Sequence, residues 1–522
     1  MSDKIIVTNV SALRKKYGKG LTKIQTAWKK LIAADKLRGF KTRVIALDSA
    51  AAMKKFKVAA VTDAAHAKQN KQAIDAIYRA LLPEYLLILG AVDVVPHQDL
   101  LNPVFDGDND PDKFAYGDLP YACDAPYSQQ VQDFIGPTRV VGRLPDLTGG
   151  KDPAYLVGLL ATAAAAGQLP ASEYQAHLGV SAKVWEKSTK LSLTNMFGAS
   201  ADTRTVPTQG PNWTDAQLKR RTHFINCHGA QADAFFYGQS GNKFPQAHSA
   251  SYIAGKLSEG TVAAMECCYG AELYDPALLD PPQMPICNTY LDSKAYGYLG
   301  STTIAYGPAE GNGAADLLCQ FFLKHVLQGS SLGRAALEAR QEFASHAPAL
   351  DPVDLKTLAQ FNLLGDPSLH PVAVETPKRT MARGLSAHGL RDERIDRRQQ
   401  LAQRGAWLTQ NQAVARPLAA PKATTRGIKA KAAPASGSTT QLNKLIVSEK
   451  LESVSTFSFE VAPKVQPKTR ALSKETSTAV RMHVLLGKRK TAQSSAGLKP
   501  TVALVTKEVN GKVVSYRELL AK

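Results

Sequence analysis

Two stretches decide how this chain is read: Thr222-His-Phe-Ile-Asn-Cys-His228-Gly229 and Gly260-Thr-Val-Ala-Ala-Met-Glu-Cys-Cys268-Tyr-Gly270. Each is a short apolar run closed by turn-forming residues, the pattern of a strand buried on both faces of a parallel sheet. In an open sheet of that kind, reactive groups gather beyond the carboxyl ends of the strands. If the two strands are neighbours, an imidazole and a thiol emerge on one rim. A histidine beside a cysteine turns the thiol into a usable nucleophile. Either motif alone is equally well a core cysteine and an unrelated histidine, because free cysteine is among the most buried residue types. The two together favour a cysteine hydrolase.

The surrounding sequence supplies the rest of the sheet. Residues 5–8, 42–47, 85–90, 138–142 and 299–306 read as strands, and 22–37, 64–82, 153–166, 314–327 and 332–345 as helices. Strands alternating with helices imply a mixed α/β fold, a mostly parallel sheet flanked by helices. At 522 residues the chain exceeds what one hydrophobic core serves, so further units are expected. The reading divides it into an α/β domain over 1–375 (subdomains 1–170 and 171–375), a basic flexible linker over 376–441, and a small β-rich module over 442–522. Strands are expected there at 444–447, 456–461, 479–486 and 501–506. Asn510-Gly511 is a two-residue hairpin signal.

Charge separates the same parts. From Pro377 onward there are 28 Lys+Arg against 9 Asp+Glu, while residues 1–376 balance at 36 of each. The whole excess of +19 therefore lies in the tail. Clustered cations of this kind attract phosphate, so nucleic acid is one candidate partner. Few aromatic residues interleave with them, which argues against base stacking. The six cysteines follow no disulfide or zinc spacing, which suits free thiols in a reducing cytoplasm. No segment has signal-peptide or membrane-span character, so a membrane partner is not expected.

The two motifs, each ending an apolar strand, resemble those of caspase-fold cysteine peptidases (clan CD), most closely the gingipain group. Further segments carry the likeness in order: Tyr85-Leu-Leu-Ile-Leu-Gly-Ala-Val-Asp-Val-Val-Pro96, Val140-Val-Gly-Arg-Leu-Pro145, Cys268-Tyr-Gly-Ala-Glu-Leu-Tyr274, Leu299-Gly-Ser-Thr-Thr303 and Phe361-Asn-Leu-Leu-Gly-Asp-Pro-Ser-Leu369. The resemblance covers residues 1–373 and stops at the tail. It implies a caspase-like sheet and an intracellular endopeptidase in which Cys268 attacks the scissile carbonyl and His228 is the acid–base partner. Cys267, one position earlier, is the alternative nucleophile. The backbone N–H groups of Gly229 and Cys268 would hold the oxyanion, and glycine permits the close approach.

Relatives orient the histidine with an acid after an earlier strand. Here Lys183 stands at that point, and Glu186 is the nearest carboxylate. Relatives also select basic P1 residues with a carboxylate, and Glu310 in Tyr306-Gly-Pro-Ala-Glu-Gly-Asn-Gly313 falls near that position. Protein substrates with Arg or Lys at P1 are the implied partners, and no cofactor is required. A second chemical signal is the run Asp106-Gly-Asp108-Asn-Asp110-Pro-Asp112, whose alternating carboxylates are hard ligands of the kind Ca²⁺ takes. It lacks the twelfth-position Glu of an EF-hand, and a solvated acidic turn fits it as well. An exposed basic linker is also an expected cleavage point, for the chain itself or for an upstream activating protease, as in a zymogen. Prokaryotic relatives imply a stress or antiviral defence setting. The alternative class is a caspase-fold pseudoenzyme or scaffold that uses its basic tail to bind nucleic acid or a protein.

Overall fold

The computed structural model describes residues 2–198, 202–373, 387–418, 437–461, 480–489 and 501–522. A ten-stranded sheet organises the body. Its spatial order is Thr42–Ala46, Lys4–Thr8, Tyr85–Leu89, Val140–Leu144, Phe361–Gly365, Gly297–Ser301, Val262–Met265, Thr222–Asn226, His177–Ala182, Thr203–Val206. The central strands are buried on both faces, as their unbroken apolar runs require. Two groups of helices cover them. One includes Leu21–Leu37, Ala154–Ala165 and Ile286–Asp292; the other includes Glu186–Phe197, Ala315–Leu327 and Leu332–Ala344.

The strand Phe361–Gly365 reverses the sheet. It runs parallel to Val140–Leu144 and antiparallel to Gly297–Ser301, so the two halves of the sheet point in opposite directions. The carboxyl ends of Gly297–Ser301, Val262–Met265, Thr222–Asn226 and His177–Ala182 therefore share one edge. The two motif strands are parallel neighbours, with Thr222 opposite Val262 and Ile225 opposite Met265. That register, continued, sets Asn226 beside Glu266 and His228 beside Cys268.

Several quoted motifs are structural. The buried Arg143 guanidinium grips both Asp118 oxygens (2.8 and 2.6 Å) and donates to the carbonyls of Gly90 and Val95. Together these bonds pin the loop after the third strand. Asp366 is ion-paired with the buried Lys4.

The tail forms a seven-stranded sheet in the order Tyr306–Gly307, Lys512–Ala521, Thr501–Val509, Val480–Arg489, Leu451–Val461, Ala413–Pro417, Ala349–Leu350. Both outer strands come from the body, so the module is built onto the α/β domain. Side chains alternate between two cores, Met482, Val484 and Leu486 on one face and Val502, Leu504 and Leu520 on the other. Asn510 and Gly511 both take positive φ, which closes the hairpin expected there.

Two expectations are corrected. The segment expected as a strand at 444–447 lies in a helix, Gly437–Ser448, because Leu442, Leu445 and Ile446 at helical spacing pack against the second core. Part of the expected linker is ordered. Helix Ala387–Asn411 lays Leu401, Gly405 and Leu408 on the body, and a Cβ at Gly405 would strike the Pro137 carbonyl. The rest of that linker, 376–386 and 419–436, lies outside the described residues. Among the described residues no helix is long and apolar enough to cross a membrane.

Candidate functional site

Cys267 and Cys268 point in opposite directions, as successive residues leaving a strand do. Cys267 is fully buried in the main core, its sulfur facing the Ile225 carbonyl at 3.8 Å. Cys268 lies on the rim, where its Sγ accepts from the Ala305 N–H at 3.3 Å. The chain then turns sharply, because Tyr269 takes a φ of +54°, strained for a residue with a side chain. Burial pushes the Cys268 thiol up to about 12, with Asp112 and Asp110 adding to the effect and Lys356 opposing it.

His228 stands on the neighbouring strand end. Its Nε2 lies 2.6 Å from the Gln239 side-chain oxygen, and the Gln239 amide nitrogen donates to the Gly241 carbonyl. That second bond fixes the amide so that its oxygen accepts from Nε2–H, which leaves the lone pair on Nδ1. Burial pushes the imidazole down to about 4, and the nearby Lys522 ammonium acts in the same direction. The ring is packed against Trp185, with centroids 4.5 Å apart, and Phe244. Gly229 presses on the cysteine backbone: a Cβ there would overlap the Cys268 carbonyl outright. No hydrogen bond joins His228 to Cys268 among the described residues. Their proximity comes from strand register and from that backbone contact.

Beside this pair is an acidic pocket that the sequence reading missed. Glu266, Asp316 and Asn226 converge on one point, and the Lys522 ammonium occupies it. Its Nζ is 2.5 Å from Glu266 Oε2 and 3.0 Å from Asn226 Oδ1, and it is ion-paired with Asp316. All three charged side chains are fully buried. Trp185 forms a wall, with Nζ 5.3 Å from its ring centre. Burial and the neighbouring Asp316 push the Glu266 carboxyl well above the carboxylate range, while its two carboxylate partners hold the Lys522 ammonium charged against the opposing cost of burial. The backbone of Lys522 is bound too. Its carbonyl accepts from Cys268 N–H at 3.0 Å, and its N–H donates to the Ala305 carbonyl at 2.9 Å.

The structure does not bring the other sequence candidates into the site. Glu310 is on the surface in an exposed pair with Lys187, because its loop turns outward before the helix Ala315–Leu327. Asp316, in the first turn of that helix, is the acid that faces inward. Glu186 pairs with Lys190 one helical turn away and does not touch His228. The strand end where an orienting acid was expected delivers Trp185 instead, and Gln239 makes the bond to the ring.

The acidic run does not converge as a calcium loop. Asp106 caps its own turn through the amides of 108, 109 and 110, and Asp108 is exposed. Asp110 is buried against Lys356 at 2.5 Å, and Asp112 accepts from the Tyr269 hydroxyl and the Ile304 N–H. A lysine already meets the charge that a cation would meet. No cluster of three or more acidic, His or Cys side chains suited to a metal occurs among the described residues.

Next to Tyr269 a cavity of about 610 Å³ is lined by His97, Asp99, Tyr116, Tyr269, Glu272 and Thr302, among others. Burial pushes Glu272 up to about 7 there.

No family model and no curated protein matches the chain. A solved structure named "Structure of Protease" superposes with a TM-score of 0.40 at 12% identity, covering 99% of this chain and 96% of that chain. A superposition that loose carries no weight in assigning a function.

Proposed function

We propose that the chain is a cysteine endopeptidase of the caspase and gingipain type, cutting on the carboxyl side of basic residues and preferring lysine. One observation carries the reading: a lysine side chain fills a two-carboxylate pocket while its own carbonyl oxygen sits on Cys268 N–H. A substrate lysine bound the same way would present its scissile carbonyl to the Cys268 sulfur.

The chemistry follows from the protonation states. The buried imidazole is neutral at physiological pH, and the buried thiol is neutral as well. His228 Nδ1 takes the thiol proton as sulfur attacks the carbonyl carbon. The oxyanion is held by Cys268 N–H, with Gly229 N–H beside it. His228 returns the proton to the departing amine, whose chain leaves through the cavity next to Tyr269. Water, deprotonated by the same ring, then hydrolyses the thioester. By accepting from Nε2–H, Gln239 keeps Nδ1 as the ring atom that takes and returns the proton.

Lysine is preferred because three acceptors meet its three ammonium N–H groups at one point. A guanidinium carries its donors in a plane and spreads them more widely. Fluorogenic peptides with Lys, Arg or Ala at P1 test the reading, with Cys268→Ala as control. Absence of Cys268-dependent cleavage after Lys or Arg would overturn it.

A further inference from the structure

The tail strand meets the cleft as a substrate would. Ala521 pairs antiparallel with Tyr306 and Leu520 with Gly307, which adds a strand to a two-residue edge of the body. Extended peptides bind sheet edges in this way, with backbone bonds for affinity and pockets for alternate side chains. The contacts continue without a break to Ala305, Cys268 and the acidic pocket. Gly307 is shaped for the occupant, since a Cβ there would overlap Lys522 Cε outright and lie 2.6 Å from Nζ. Cys268 is only 4% exposed with the strand in place.

We infer that residues 518–522, Glu-Leu-Leu-Ala-Lys, are an intramolecular substrate mimic that keeps the cleft closed until its last residues leave. The inference rests on the peptidase reading for what the cleft serves, and adds what occupies it. The rest of the strand is held independently. It pairs along its length with Thr501–Val509, and Arg517 is ion-paired with Asp351 and Asp354. The tail sheet therefore delivers the mimic, while two residue pairs, the lysine contacts and the packing of Leu519 and Leu520 hold its tip to the body. Opening needs the tip to leave the Tyr306–Gly307 edge, while the pairing with Thr501–Val509 can stay.

The test uses the full-length chain and the rate at which tosyl-lysyl chloromethyl ketone alkylates Cys268, read by mass spectrometry. Lys522→Ala should label at least tenfold faster than wild type, and Lys522→Arg, which keeps a cation, much less so. Acetyl-Glu-Leu-Leu-Ala-Lys added to Lys522→Ala should slow labelling again. Equal rates in wild type and Lys522→Ala, or no protection by the peptide, would overturn the mimic. The unaltered chain gives a reading that depends on no variant's folding: once alkylated, it should lose hydrogen-exchange protection at the Lys522 amide. Unchanged protection there also overturns the proposal. Amide hydrolysis is scored apart. Faster labelling without hydrolysis removes the peptidase reading and leaves the mimic standing, whereas hydrolysis at equal rates in wild type and Lys522→Ala does the reverse.

Discussion

Gly307→Ala is the sharpest perturbation of the acidic pocket. The added methyl would overlap the Cε of a seated lysine and lie 3.3 Å from Asp316 Oδ1, where ammonium meets carboxylate. Gly307 has no left-handed φ, so alanine fits its backbone, and the variant should fold. The lysine must withdraw, leaving Glu266 and Asp316 facing each other without a cation. Breaking a buried pair from one side costs about 3–5 kcal/mol, equivalent to a loss of roughly 10²–10⁴ in kcat/KM. The substitution also expels Lys522 and opens the cleft, which by itself would raise activity. The quantity to measure is therefore the ratio of kcat/KM for a P1-lysine peptide to that for a P1-alanine peptide, in which the opening cancels. A ratio within about threefold of wild type, in a variant that melts normally, would refute the pocket assignment.

Glu310→Gln should change neither lysine selectivity nor stability, because its pair with Lys187 is exposed on both sides; a selective loss of lysine cleavage would return that residue to the site. Asp316→Asn should lower the Lys-to-Ala ratio at least tenfold while cleavage of the P1-alanine peptide persists, and steady-state kinetics on the two peptides decides it. Cys268→Ala should abolish turnover, whereas Cys267→Ala should keep it and lose about 1–2 kcal/mol of stability from its core position, measured by denaturant melts. If the two exchange roles, the nucleophile is one residue earlier. Three buried histidines should cost stability as pH drops from about 6.5 toward 4: burial holds His223 and His228 at about 4 and His248 at about 3 in the folded chain, so the unfolded chain binds protons first at these rings. Each ring contributes roughly 3 kcal/mol of that loss, opposed by proton uptake at the raised Glu266 and Glu272 carboxyls, and an NMR titration that placed the three rings near 6.5 in the folded chain would contradict it.

The sheet was legible because its strands are unbroken apolar runs, and burial on both faces writes that pattern directly into sequence. The Asn510-Gly511 hairpin was legible because only residues tolerant of positive φ close a two-residue turn. The helix Gly437–Ser448 was misread in part, since a run such as Leu445-Ile-Val447 suits a strand locally. Its fate is set by what the spacing of Leu442, Leu445 and Ile446 meets in three dimensions. The adjacency of His228 and Cys268 was readable as a conditional, and strand register meets the condition.

The pocket was harder to read because charge complementarity is local in space and remote in sequence. Glu266, Asp316 and Lys522 lie on a strand end, a helix start and the final residue, and none forms a motif with its neighbours. A signal was nevertheless present. Glu266 is the sole charged residue in the run Gly260–Gly270 that otherwise reads as buried strand, and a carboxylate in such a place requires a cation or a proton. Burial and the neighbouring Asp316 raise its affinity for the proton, and the Lys522 ammonium opposes them. A glutamate alone in a buried run, immediately before a rim cysteine, is in this way the sequence mark of a buried partner cation, and the structure supplies that cation as Lys522.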